Sequence, residues 1–96
     1  MIRHIVCFKL KDNNQELCEK TKDILLSMRE NISLVRDISV GVDFLHSARS
    51  FDIILQVDLD DEKALADYQE DKYHVEVVKT HMHSVTEKSI AIDYYI

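Results

Sequence analysis

The chain opens on alternation. Ile2, His4, Val6, Phe8 and Leu10 fall on one side of an extended segment, and Arg3, Ile5, Cys7 and Lys9 on the other. A period of two over residues 1–10 predicts a strand whose second face is only partly polar. At residue 14 the period changes. Leu17, Thr21, Ile24, Leu25, Met28 and Ile32 keep the spacing of one amphipathic helix face, while Glu16, Glu19, Lys20, Lys22, Asp23, Arg29 and Glu30 cover the other. Asn13 or Asn14 is suited to cap that helix. Alternation returns with Ile38, Val40, Val42 and Phe44, and again with Phe51, Ile53, Leu55, Val57 and Leu59, so two strands flank a polar hairpin loop at 45–50. Asp60 or Asp61 caps a short helix reaching about Glu70, with Ala64, Leu65 and Tyr68 inward. A second short helix from about Tyr73 to Met82 places His74, Val77, Val78 and His81 on one stripe. The last strand, residues 85–95, alternates Ile90, Ile92, Tyr94 and Ile96 with Ser89, Ala91, Asp93 and Tyr95.

The predicted order is therefore β, α, β, β, two short α, β. Two strand–helix–strand units joined by a central hairpin give a ferredoxin-like α+β fold, a four-stranded antiparallel sheet with helices on one face. The helices leave the other face open. That face is expected to carry Ile5, Cys7 and Ile54, joined by Ala91 and Tyr95. A mixed face of this kind is suited to closure by a second copy, so a homodimer through the sheet faces is expected.

Ninety-six residues make a single domain, 1–96, with a core small enough to benefit from a partner. The net charge of -6, with no Lys/Arg cluster, disfavours nucleic acid and anionic membranes. No stretch approaches the ~20 apolar residues of a membrane span, and the apolar run at Ile5–Phe8 is too short for a signal peptide. Cys7 and Cys18 lack a CxxC spacing and read as free thiols in a reducing cytoplasm. Proline is absent and glycine occurs once, so turns rest on Asn, Asp and Ser, and no phosphate-binding Gly-rich loop is present.

The stretch DYQEDKYHVEVV sets Tyr68 and His74 across a break between the two short helices. A desolvated imidazole suits proton abstraction next to a carbonyl, and a phenol suits holding the developing enolate oxygen. The plainer reading is a helix-start histidine bonded to backbone and a core tyrosine with a polar tip. His4, sharing a strand face with Val6 and Phe8, reads either as a pocket residue or as a core histidine bonded to Asp93. The five histidines show neither an i, i+4 pair on a helix nor HExxH, so no metal and no cofactor are expected. Asp52, Asp58, Asp60 and Asp61 read as solvated strand ends and a helix cap.

The opening RHIVCFKLKD resembles the first strand of the stress-responsive α/β-barrel (Dabb) family, ALADYQEDKYHVEVV its Tyr–His helical segment, and AIDYYI its closing strand. The resemblance runs over essentially the whole chain and implies a dimeric α+β barrel. It also implies architectural kinship with cofactor-free monooxygenases, muconolactone isomerases and haem-degrading proteins. In the family's plant polyketide cyclases a tyrosine and a histidine line a pocket between sheet and helices, and these match Tyr68 and His74. Asp71-Lys72 stands where the family usually has His-Pro, and Ile53 where it has a polar pocket position. The reading is a ligand-binding dimer for a small apolar, carbonyl-bearing molecule. The alternatives are a cofactor-free cyclase, isomerase or monooxygenase-like enzyme using His74 as base and Tyr68 as donor, or a non-catalytic structural dimer. The expected pocket walls are His4, Phe8, Ile53, Leu55, Val78 and Tyr94.

Overall fold

A computed structural model describes the whole chain, Met1–Ile96. The elements are β1 (Ile2–Leu10), α1 (Gln15–Leu26), the single turn α2 (Met28–Asn31), β2 (Asp37–Val42), β3 (Ile53–Leu59), α3 (Glu62–Glu70), a π-helical segment (His74–Lys79), α4 (Thr80–Val85) and β4 (Thr86–Tyr95). The sheet order is β2-β3-β1-β4, with every neighbour antiparallel. This is the ferredoxin-like fold. No helix is long and apolar enough to cross a membrane.

Local chemistry explains the helix starts. Asn14 accepts the Leu17 N–H at 2.9 Å and Asp61 accepts the Ala64 N–H at 2.8 Å, each filling an orphan donor of a first turn. The first helix does not run unbroken to Ile32. It stops at Leu26, where the Ser27 hydroxyl bonds the Ile24 carbonyl at 2.5 Å and the Tyr73 hydroxyl at 2.6 Å. A serine that bonds its local backbone competes with helix propagation. Met28 and Ile32 nevertheless enter the core beside Leu25, Val57, Leu59 and Tyr68.

Three expectations are corrected. The register pairs Ile5 with Ile92, Cys7 with Ile90 and Arg3 with Tyr94. Directly opposed residues share a face, so Ile90, Ile92 and Tyr94 lie on the open face, and Ala91 and Tyr95 on the helix side. Alternation shows that a strand has two faces but not which is covered, and β4 is apolar on both. The stripe of the second short helix also fails. Residues His74–Lys79 are π-wound, which changes the angular step; Val78 is buried while Val77 is exposed. Finally, two of the four carboxylates are not solvated. Asp52 is buried and accepts the Leu10 N–H at 2.8 Å and Asn13 Nδ2 at 3.1 Å. Asp58 is buried too and accepts a bidentate pair from Arg3 at 2.8 and 3.1 Å. Asp60 pairs with Arg36 at the surface, and Asp61 is the cap already described.

Candidate functional site

Between the helix side of the sheet and the α3–α4 segment lies an open cleft of about 310 Å³, at the small end of the range for small-molecule sites. Its apolar wall comes from β1, β3 and the helices, with Phe8, Leu55, Val78 and Met82 foremost. Its polar groups are His4, Tyr68, Gln69 and His74 at one part, and Lys79, His83, Thr86 and Ser89 from the segment that leads into β4.

Each ring is held by a specific partner. His4 sits on β1 opposite Asp93 of β4, and its Nδ1 bonds the Asp93 carboxylate. Nδ1–H is the donor in that bond, because a carboxylate oxygen accepts. His74 begins the π-helical segment, where Asp71 accepts the backbone N–H of Tyr73 at 2.9 Å. Its Nδ1 donates to the Gln69 carbonyl at 3.3 Å, leaving Nε2 as the basic nitrogen. Burial lowers the His74 pKa below its ordinary 6.5; Lys79 and His4 push the same way, and the Gln69 carbonyl and Asp71 oppose. The ring is therefore a neutral base at pH 7.

Tyr68 stands between the two imidazoles. Its ring centroid is 6.0 Å from that of His4, edge-on, and 4.7 Å from that of His74, tilted by 46°. The side chain is fully buried. Its hydroxyl reaches only Met28 Sδ, at 3.5 Å. Burial pushes the phenol well above its ordinary 10.0, so the oxygen keeps its proton. A thioether is a weak acceptor, so this donor is under-used.

The cleft brings together His4, Phe8, Leu55, Tyr68, His74 and Val78. It does not include Ile53 or Tyr94. Ile53 packs into the core and borders a separate hollow with Val42, Phe51 and Asp52. Tyr94 lies on the open face opposite Arg3, as the register dictates. Lys79, His83, Thr86 and Ser89 carried no sequence signal, because π-winding and the turn into β4 set their direction. His81 is taken up by the buried Thr21 hydroxyl at 2.8 Å, and no three His, Cys, Asp or Glu side chains converge to hold a metal ion.

The fold and cleft together define an antiparallel ferredoxin-like protein with three histidines and a tyrosine at one hollow. More particularly, the chain belongs to the stress responsive A/B barrel (Dabb) domain family, whose model matches residues 2–96. No curated protein matches it. Among solved structures it is similar to a dimeric protein of unknown function and ferredoxin-like fold from Bacteroides fragilis. The identity is 23%, over 99% of this chain and 95% of that one, with a TM-score of 0.84. A Dabb family protein with a ferredoxin-like fold from Mesorhizobium loti is 24% identical over 99% and 95%, with a TM-score of 0.77. A hydroxynitrile lyase from Passiflora edulis is 16% identical over 99% and 92%, with a TM-score of 0.83. At such identities the likeness establishes the fold.

Proposed function

We propose that this protein binds a small, largely apolar, carbonyl-bearing molecule in the cleft and acts as a homodimer. The observation that carries the binding reading is the convergence of His4, Tyr68 and His74 on one hollow that also has an apolar wall of Phe8, Leu55, Val78 and Met82. Such a hollow desolvates a ligand's body and offers its carbonyl oxygen a phenol that now holds only a thioether. The dimer rests on the open face, where Ile54 is 40% and Ile92 63% exposed beside Ile90 and Tyr94. The Bacteroides neighbour is likewise described as dimeric.

The second reading, cofactor-free proton transfer, is favoured by one specific observation. His74 is neutral by burial and fixed through Nδ1, so Nε2 is a general base already in its working form. Tyr68 would hold the developing enolate oxygen. One neighbour of the same fold is a lyase, so the architecture accommodates an enzyme.

A single experiment addresses both readings. The labelled protein is titrated with small aryl ketones in deuterated buffer, following backbone amides and the ketone's α-protons. Binding predicts shifts clustered on His4, Leu55, Tyr68, His74 and Val78; shifts scattered over the surface, or none, count against it. Catalysis predicts α-deuteration that falls by roughly a hundredfold or more in His74→Gln. Binding with no exchange leaves the ligand-binding protein and removes the enzyme.

A further inference from the structure

The cleft has a polar end that the acid–base pair does not use. Lys79, His83, Thr86 and Ser89 all line it. No aspartate or glutamate lines the cleft, in a chain of 18 acidic and 12 basic residues. Of the carboxylates beside it, Asp93 is bonded to His4 and Asp71 accepts the backbone N–H of Tyr73. Lys79 takes part in none of the ion pairs of the fold. Its charge bears on His74, whose protonation it disfavours. Thr86 adds an independent observation: its Oγ1 is the sole buried side-chain polar atom without a hydrogen-bond partner. Buried hydroxyls are ordinarily satisfied. An unpartnered lysine and an orphan hydroxyl on one hollow describe half of a binding site.

We infer that the molecule taken by this cleft is a monoanion, a carboxylate whose charge lies at Lys79 and Thr86 and whose apolar body lies against Phe8, Leu55 and Val78. The inference rests on the small-molecule reading of the same cleft and narrows its ligand class to apolar oxo acids. Lys79 supplies the counter-charge and Thr86 an O–H donor for a carboxylate oxygen. His83 and Ser89 line the same cleft and are exposed. A single lysine suits a carboxylate better than a phosphate dianion. The ketone oxygen is then left for Tyr68 and the adjacent carbon for His74. The cleft thus holds a charged anchor as well as proton-transfer groups.

The test compares 4-oxo-4-phenylbutanoate with its neutral primary amide, which has the same shape and the same ketone. Affinities are read from amide shifts of the full chain, with Lys79→Met and Thr86→Val as variants whose fold is checked in the same spectra. The acid is expected to bind about tenfold more tightly than the amide. Lys79→Met should erase that preference and leave amide affinity unchanged. Thr86→Val should reduce it by a smaller factor. Equal affinity of acid and amide, or a preference that survives Lys79→Met, overturns the anion site while the cleft reading stands. Shifts from neither compound at the cleft overturn both.

Discussion

On the helix side of β1, His4, Val6 and Phe8 face the helices and the cleft; on the other side, Ile5 and Cys7 meet β4's Ile92 and Ile90, β3's Gln56 and Ile54, and the open surface. The two faces are built from similar residues. What differs is how they are completed. The covered face closes within one chain and leaves only a hollow with polar groups at its edges. The open face has apolar side chains with nothing of its own to cover them, and a domain with 19 of 96 residues buried has little core to spare. On the reading proposed above, the site belongs to the fold of one chain and the assembly to the opposite surface, so the two should be separable by mutation.

The largest expected effect breaks the open face. Ile92→Asp places a carboxylate in the proposed interface twice, once per copy. It should weaken the dimer by at least about 3 kcal/mol, a hundredfold or more in dissociation constant. Sedimentation velocity over a concentration series reads this. A dimer unchanged by Ile92→Asp would mean that the copies meet elsewhere. The matching change on the covered side is Leu25→Ala, at a fully buried position that also borders the cleft. It should cost about 3 kcal/mol in urea unfolding, with the slope unchanged, and leave each folded copy able to dimerise.

How much of this the sequence disclosed follows the same division. Period-two and period-3.6 patterns specified the order of strands and helices, though not the break after Leu26 or the π-winding of His74–Lys79, because burial on one side leaves a direct trace in residue order. They also placed Tyr68 on the inner face of α3, since capping by Asp61 is local, and offered the His4–Asp93 bond as one of two readings. They did not settle the inside and outside of β4. Ile92 and Ala91 are both apolar, and the choice depends on which side the helices pack. Nor did they disclose Lys79 and Thr86 as cleft residues. Those positions depend on a π-helical segment and on the pairing offset in which Lys9 meets Lys88 but Leu10 meets Thr86. Asp52 was misread for a related reason, since its partners, Leu10 and Asn13, are 42 and 39 residues distant in sequence.

A smaller effect sharpens the covered side alone. Tyr68→Phe removes a buried hydroxyl whose partner is a thioether at 3.5 Å. Losing so weak a bond, with the ring retained, should change stability by less than about 1 kcal/mol. Affinity for a bound ketone should nonetheless fall by about tenfold, because the ligand oxygen then enters the cleft unpaired. Stability lost with ligand affinity intact would make Tyr68 a core residue and nothing more.

The smallest effect is a dependence of stability on pH, and its sign is fixed by the two half-buried histidines. Burial lowers the pKa of both His74 and His81 below the ordinary 6.5; for His81 Lys20 adds to it. Above 6.5 both rings are neutral whether folded or unfolded, so their contribution is constant there. As pH falls through 6.5 the unfolded chain takes up protons that the folded chain still refuses. Stability therefore declines, and the decline levels off below the folded pKa values. The urea midpoint should accordingly be lower at pH 5.5 than at pH 7.5. His74→Gln and His81→Gln should each flatten the profile, their effects adding because the two rings have separate partners, the Gln69 carbonyl and the Thr21 hydroxyl. Neither variant should change the pH dependence of dimer dissociation, since neither ring is on the open face. If His74→Gln altered that dependence, the cleft and the interface would be one coupled structure, and the separation of the two faces argued above would fail.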